Sequence, residues 1–144
     1  MGGFIVLEDG RAYAASNWAT DATLRAVSRE VSDRSLQSWL LAQQSEHVGM
    51  GMTSVDLREV APRYRRVLRA AIRRAYERVV TDDKFEDLHS GDKWWTSWLK
   101  YFHDLVEMVA RSEAGEPAES FNPHMRRLIP PTGRQEGPGW DGPR

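Results

Sequence analysis

The chain has 144 residues, 20 Lys and Arg against 21 Asp and Glu, and a formal net charge of −1. That length suits one domain with a true core, and 40% hydrophobic with 28% charged residues is a globular rather than a disordered composition. The lack of cysteine excludes a disulfide framework, a thiol nucleophile and thiolate metal sites, and a near-zero charge argues against coating nucleic acid over the whole surface.

The start, Met1-Gly2-Gly3-Phe4-Ile5-Val6-Leu7, is a short apolar run closed by Glu8-Asp9. No basic region precedes it, so a secretion signal is not expected, and Val6 stands where a myristoylation motif wants Ser or Thr. No apolar stretch approaches the roughly 20 residues that span a bilayer. A cytoplasmic protein without membrane contact is the expectation.

Phe4 to Glu8, Asp9-Gly10, and Arg11 to Ala15 read as a two-stranded hairpin. Asp-Gly between apolar runs predicts a type I′ turn, with positive φ at both central residues. A lone hairpin is marginal in water, so this one must pack on helices. Thr20 or Asp21 is the expected cap of a first helix reaching about Val31, with Leu24, Val27 and Val31 on one face. Ser32 or Asp33 restarts the pattern. Leu36, Trp39, Leu40 and Gln43 then mark a shorter second helix, ended by Gly49-Met50-Gly51-Met52.

Pro62 suits the first turn of a third helix, where its missing N–H costs nothing. Over 63–80, Tyr64, Val67, Leu68, Ala71, Ile72, Ala75, Tyr76 and Val79 share a face. After a charged connection, Ser90 or Asp92 caps a last helix over about 91–111. Its apolar set is Trp94, Trp95, Trp98, Leu99, Phe102, Leu105, Val106 and Val109. The set spans an arc of about 140°, enough to pack against two neighbours, and Trp on one flank also suits a partner surface. Residues 112–144 hold six of the seven prolines and five of the eleven glycines, the composition of an extended tail. The expected fold is therefore α+β and mostly helical. It comprises a single domain over 1–111, a two-stranded N-terminal hairpin packed on about four helices, and a tail over 112–144.

Charge is segregated along the chain. Arg63, Arg65, Arg66, Arg69, Arg73, Arg74 and Arg78 face one acid, Glu77, so 63–80 carries +7 − 1 = +6 and the remainder −7. On a helical wheel Arg66, Arg69 and Arg73 form one stripe, and Arg63, Arg74 and Arg78 a second on the other flank. Guanidinium suits phosphate and carboxylate alike, so the stripe reads as a partner surface, or as a solvated face paired with the chain's own acids at Asp82, Asp83, Glu86 and Asp87. No aromatic residues interleave with the arginines, as single-strand binding would want. Asp82, Asp83, Glu86, Asp87, His89 and Asp92 are oxygen- and nitrogen-bearing ligands in one connection, but they lack the spaced order of a calcium loop. No metal and no cofactor is expected.

Catalytic signatures are missing too. His47, His89, His103 and His124 are dispersed, and the chain has neither HExxH nor G-x-S-x-G. Gly49-x-Gly51 lacks the Gly and Lys of a phosphate loop. A non-enzyme acting by binding is the reading that follows.

Ser54-Val55-Asp56-Leu57-Arg58-Glu59-Val60-Ala61-Pro62, leading into a long helix, resembles the DLREL-x-P helix start of small bacterial proteins linked to toxin immunity. Val60 and Ala61 stand where that pattern has Leu and then Thr or Ser. The hairpin Phe4-Ile5-Val6-Leu7-Glu8-Asp9-Gly10 is similar as well; together the two cover about a sixth of the chain. The resemblance implies a cytoplasmic immunity-type protein that binds and blocks a cognate protein toxin by occlusion, with no catalytic residues. Arg66, Arg69, Arg73, Asp82, Asp83, Glu86 and Asp87 are the candidate partner-binding residues, since segregated charge favours fast, specific association. The alternatives are a nucleic-acid-binding regulator using the helix over 63–80, and a structural or adaptor subunit of a bacterial assembly.

Overall fold

The computed structural model describes residues 2–43, 53–81 and 93–116. The glycine–methionine break at 49–52, the acidic run with Asp82, Asp83, Glu86 and Asp87, and the chain after 116 lie outside the described residues, as do the side chains of Trp94 and Trp95. The elements are β1 (Gly2–Val6), β2 (Ala12–Ser16), α1 (Asn17–Ser28), α2 (Arg34–Leu41), β3 (Ser54–Asp56), a single 3₁₀ turn (Leu57–Glu59), α3 (Pro62–Thr81) and α4 (Lys93–Glu113). The fold is α+β and mostly helical, with a small sheet beside four helices among the described residues.

The hairpin forms, but with a different turn. β1 pairs antiparallel with β2, Val6 opposite Ala12 and Ile5 opposite Tyr13. Leu7 N–H donates to Arg11 C=O at 2.8 Å, and Gly10 N–H to Leu7 C=O at 3.0 Å. Of the turn residues only Gly10 has positive φ, +90°. This is a three-residue loop with glycine in the left-handed position, not the two-residue type I′ turn. Asp9 selects it: its carboxylate accepts the Arg11 N–H at 3.1 Å, and that side-chain bond needs no left-handed Asp.

A third strand joins the sheet, one more than the hairpin predicts. β3 runs parallel to β1, Ile5 opposite Val55, giving the order β2-β1-β3. Three residues are too few to show a period of two, which is why the strand is silent in the sequence. β1 is central, and Phe4, Ile5, Val6 and Leu7 are all buried. A strand covered on both faces reads as an unbroken apolar run, as this one does.

α1 begins earlier than expected. Ser16, the last residue of β2, caps it by accepting Ala19 N–H at 3.1 Å. Thr20 lies inside the helix, its hydroxyl donating to Ser16 C=O at 2.9 Å. Asp33 caps α2 through Leu36 N–H at 3.0 Å, with Leu36 and Leu40 buried beneath.

α3 buries Leu68, Ala71, Ile72, Ala75 and Val79, as its period predicts, but leaves Val67 exposed. α4 buries Trp98, Phe102, Leu105, Met108 and Val109, while Leu99 and Val106 are only half-buried. The core face is thus rotated toward Met108, which the apolar set over 91–111 omits. Tyr76 of α3 meets Phe102 edge-on at 5.4 Å, and Trp98 Nε1 donates to Thr23 of α1 at 3.0 Å. These contacts tie α4 to both long neighbours.

Local bonding accounts for the segment from Asp56 to Pro62. Asp56 accepts Arg58 N–H at 2.9 Å and Arg58 Nη2 at 2.7 Å. That pairing raises the pKa of the Arg58 guanidinium further. Leu57, Glu59 and Val60 are buried. Arg65, one turn into α3, donates to the carbonyls of Leu57 (2.8 Å), Val60 (3.0 Å) and Arg58 (3.1 Å). The motif builds a strand-to-helix corner, and Arg65 satisfies the Arg58 and Val60 carbonyls while sharing that of Leu57 with the Val60 N–H.

Candidate functional site: a mixed-charge groove

Arg66, Arg69 and Arg73 project from the solvent side of α3, and the structure brings all three to one groove of about 530 Å³. The spacing i, i+3, i+7 puts them on one stripe, away from the buried Leu68, Ile72 and Val79. The opposite wall comes from two distant places, the β1–β2 loop with Glu8 and Asp9, and the end of α4 with Ser112 and Glu113.

The α4 end is built by its own sequence. Gly115 has φ +73°. Glu116 N–H reaches Arg111 C=O at 3.2 Å, and Gly115 N–H reaches Ser112 C=O at 3.1 Å. These are the two bonds of a Schellman stop, which needs a left-handed residue and takes glycine for it. α4 thereby continues past Arg111 to Glu113. Ser112 Oγ donates to Asp9 Oδ2 at 2.8 Å. The buried Arg11 lies with Nε 2.9 Å from Asp9 Oδ2 and donates from Nη2 to Glu116 C=O. The loop and the helix end therefore form one wall.

Across the groove, Arg73 Nη1 meets Glu113 Oε1 at 2.5 Å, and Arg69 Nε meets the same oxygen at 3.5 Å. Arg69 also pairs with Glu8. Arg66 is exposed and has no ion-pair partner among the described residues. Three guanidiniums thus face three carboxylates, with the unpaired cation at one end.

The second stripe serves the fold instead. Arg78 Nε reaches Glu30 Oε1 at 2.8 Å, and Arg74 Nη2 donates to Glu30 C=O at 3.0 Å. Both hold the stretch after α1 against α3. Arg63 stacks over the Tyr64 ring at 4.9 Å. Among the described residues, Glu8, Glu30 and Glu113 pair with arginines of the two stripes. Of the candidate partner-binding residues, the structure assembles the arginines, while the four acids over 82–87 lie outside what it describes. The wall residues Glu8, Asp9, Ser112 and Glu113 carry no signal in the sequence, because Arg73 and Glu113 meet across 40 positions of chain.

Chemically the groove offers ion pairs and hydrogen bonds. Ser112 is bonded to a carboxylate, and among the described residues no histidine lines the groove to take its proton. Elsewhere, the donor atoms of His103, Asp104 and Glu107 lie within 4.8 Å of one another on the outer face of α4. Glu107 already accepts from Arg111 at 2.6 Å, so a cation there would compete with a guanidinium. Tyr13 is buried on β2, its hydroxyl unbonded among the described residues. Burial first, then Asp104 and Tyr101, push the phenol pKa up, which keeps it neutral. Among the described residues no helix is long and apolar enough to cross a membrane. Comparison with protein-family models, with curated proteins and with solved structures finds no match to this chain.

Proposed function

We propose that the chain is a non-catalytic binding protein of the immunity type, which seats a cognate protein toxin on the groove between α3, the β1–β2 loop and the end of α4. The observation that carries a protein partner is the groove's mixed charge. Arg66, Arg69 and Arg73 stand against Glu8, Asp9 and Glu113. A polyanion would be drawn by the arginines and repelled by the acids within the same few ångströms. A protein surface carries both signs and can satisfy both. This weighs against the nucleic-acid regulator. The toxin as partner rests on the resemblance of the hairpin and of Asp56 to Pro62 to immunity-type proteins. Occlusion needs no turnover, which suits a groove whose described residues include no nucleophile–base pair.

An immunity gene lies beside its toxin gene, so the adjacent reading frame supplies the partner to test. Expressed alone, its product should arrest growth, and co-expression of this chain should restore it. A harmless neighbour, or arrest that persists with this chain present and folded, contradicts the reading.

A further inference from the structure

The groove is partly occupied by the chain itself, and the occupant is in an awkward place. Glu113 is the last residue of α4. Carboxylates are disfavoured there, because the helix dipole puts partial negative charge at the C-terminus. What holds Glu113 is Arg73 at 2.5 Å and Arg69 at 3.5 Å, in a setting where its side chain remains 35% exposed. Exposed pairs of this kind hold by a few-fold in equilibrium terms. Arg66, one turn along the same stripe, is exposed and without a counter-ion among the described residues. The stripe therefore presents one open guanidinium next to two that are weakly occupied.

Resting on the groove reading above, we infer that the groove takes an acidic peptide segment of the partner protein, and that Glu113 is its intramolecular competitor. A carboxylate of the segment first meets Arg66. A second carboxylate, about one helical turn away, takes Arg69 and Arg73 as Glu113 leaves. Glu113 passes to solvent as it leaves, and the exposed pairs it gives up are worth little, so the exchange costs little. Glu8 stays with Arg69 and keeps the groove from accepting a continuous polyanion. The exchange gives the site selectivity for separated carboxylates over a phosphate backbone.

The test is fluorescence anisotropy with a labelled, otherwise uncharged peptide carrying two Glu residues four positions apart, with hexaglutamate as the continuous polyanion that should bind no better, using the full chain at low salt. Glu113→Gln removes the competitor's charge and keeps its shape, and should tighten binding about three- to fivefold, the reciprocal of an exposed ion pair. Arg66→Ala should weaken binding by a similar factor. The Gly115 amide resonance should shift on peptide addition in wild type and less in Glu113→Gln, a readout independent of the variant's affinity. If Arg66→Ala weakens binding but Glu113→Gln does not tighten it, the competitor inference falls and the groove survives. If neither variant changes the affinity, the peptide is not in the groove and the groove reading falls with it. A thermal melt of each variant identifies any change that comes from unfolding.

Discussion

Gly3 shows how closely single residues are constrained in the sheet. A Cβ built there would lie 2.6 Å from Thr20 Cβ and 2.9 Å from Thr20 Cγ2. Thr20 cannot swing aside without giving up its bond to Ser16 C=O. Gly3→Ala should therefore destabilise the fold by about 1–3 kcal/mol, the usual cost of overpacking, read as a lower urea midpoint with unchanged slope. Asp33 gives a pH signature. Its pKa is lowered by the Leu36 N–H first, with help from Tyr64, Ser35 and Arg63. A lowered folded pKa contributes stability above the ordinary value of 3.8 and loses it as pH falls through the folded value. Asp33→Asn should flatten the acid limb of a melting-temperature–pH curve below about pH 4; an acid limb identical to wild type would contradict the capping role. Asp33 is readable in the sequence because a cap needs only the right side chain ahead of an apolar period. Glu113 is not, because its partners are set by how α3 and α4 pack.

Among the elements, long periods are legible in the sequence and joints are not. Leu68, Ala71, Ile72, Ala75 and Val79 recur along α3, so that helix emerges from pattern alone. β3 has three residues and one apolar side chain, Val55, buried in the core, so only its pairing with β1 reveals it. The cap of α1 is ambiguous because Ser16, Thr20 and Asp21 are all acceptable capping types, and the choice is made by where β2 ends. That choice is testable. Ser16→Ala should cost about 1 kcal/mol, as loss of a capping oxygen usually does. Asp21→Ala removes an acceptor for the Thr53 hydroxyl and no capping bond, so protection of the Ala19 amide should fall in Ser16→Ala and hold in Asp21→Ala; the reverse would return the cap to the later position. The α3 arginines divide the same way. The helical wheel separates two stripes, but only packing shows that Arg74 and Arg78 fasten Glu30 while Arg66, Arg69 and Arg73 line a groove.

Across the fold, the +6 helix faces the chain's own acids. Glu8 and Glu113 lie on one side of it and Glu30 on the other. Duplex DNA should accordingly bind no better than to any basic patch, in the range of about 10⁻⁴–10⁻⁶ M at physiological salt. The triple change Arg66→Ala, Arg69→Ala, Arg73→Ala should leave the weak salt dependence nearly unaltered. Were these arginines reading phosphates, the change would make the log–log slope shallower by nearly three contacts at about 0.9 each. A steep slope lost in the triple variant would promote the nucleic-acid regulator.

Everything proposed for this protein depends on a protein partner being held on the groove of Arg66, Arg69 and Arg73. Calorimetric titration of the adjacent gene's product into wild type and into Arg66→Glu decides the matter. Arg66 suits the purpose because it has no ion pair among the described residues whose loss would confuse the result. A one-to-one complex should form with wild type. The reversed-charge variant should bind at least about tenfold more weakly, as expected when like charge is set against a partner's carboxylate. Equal affinity for both would place the partner elsewhere and contradict the assignment.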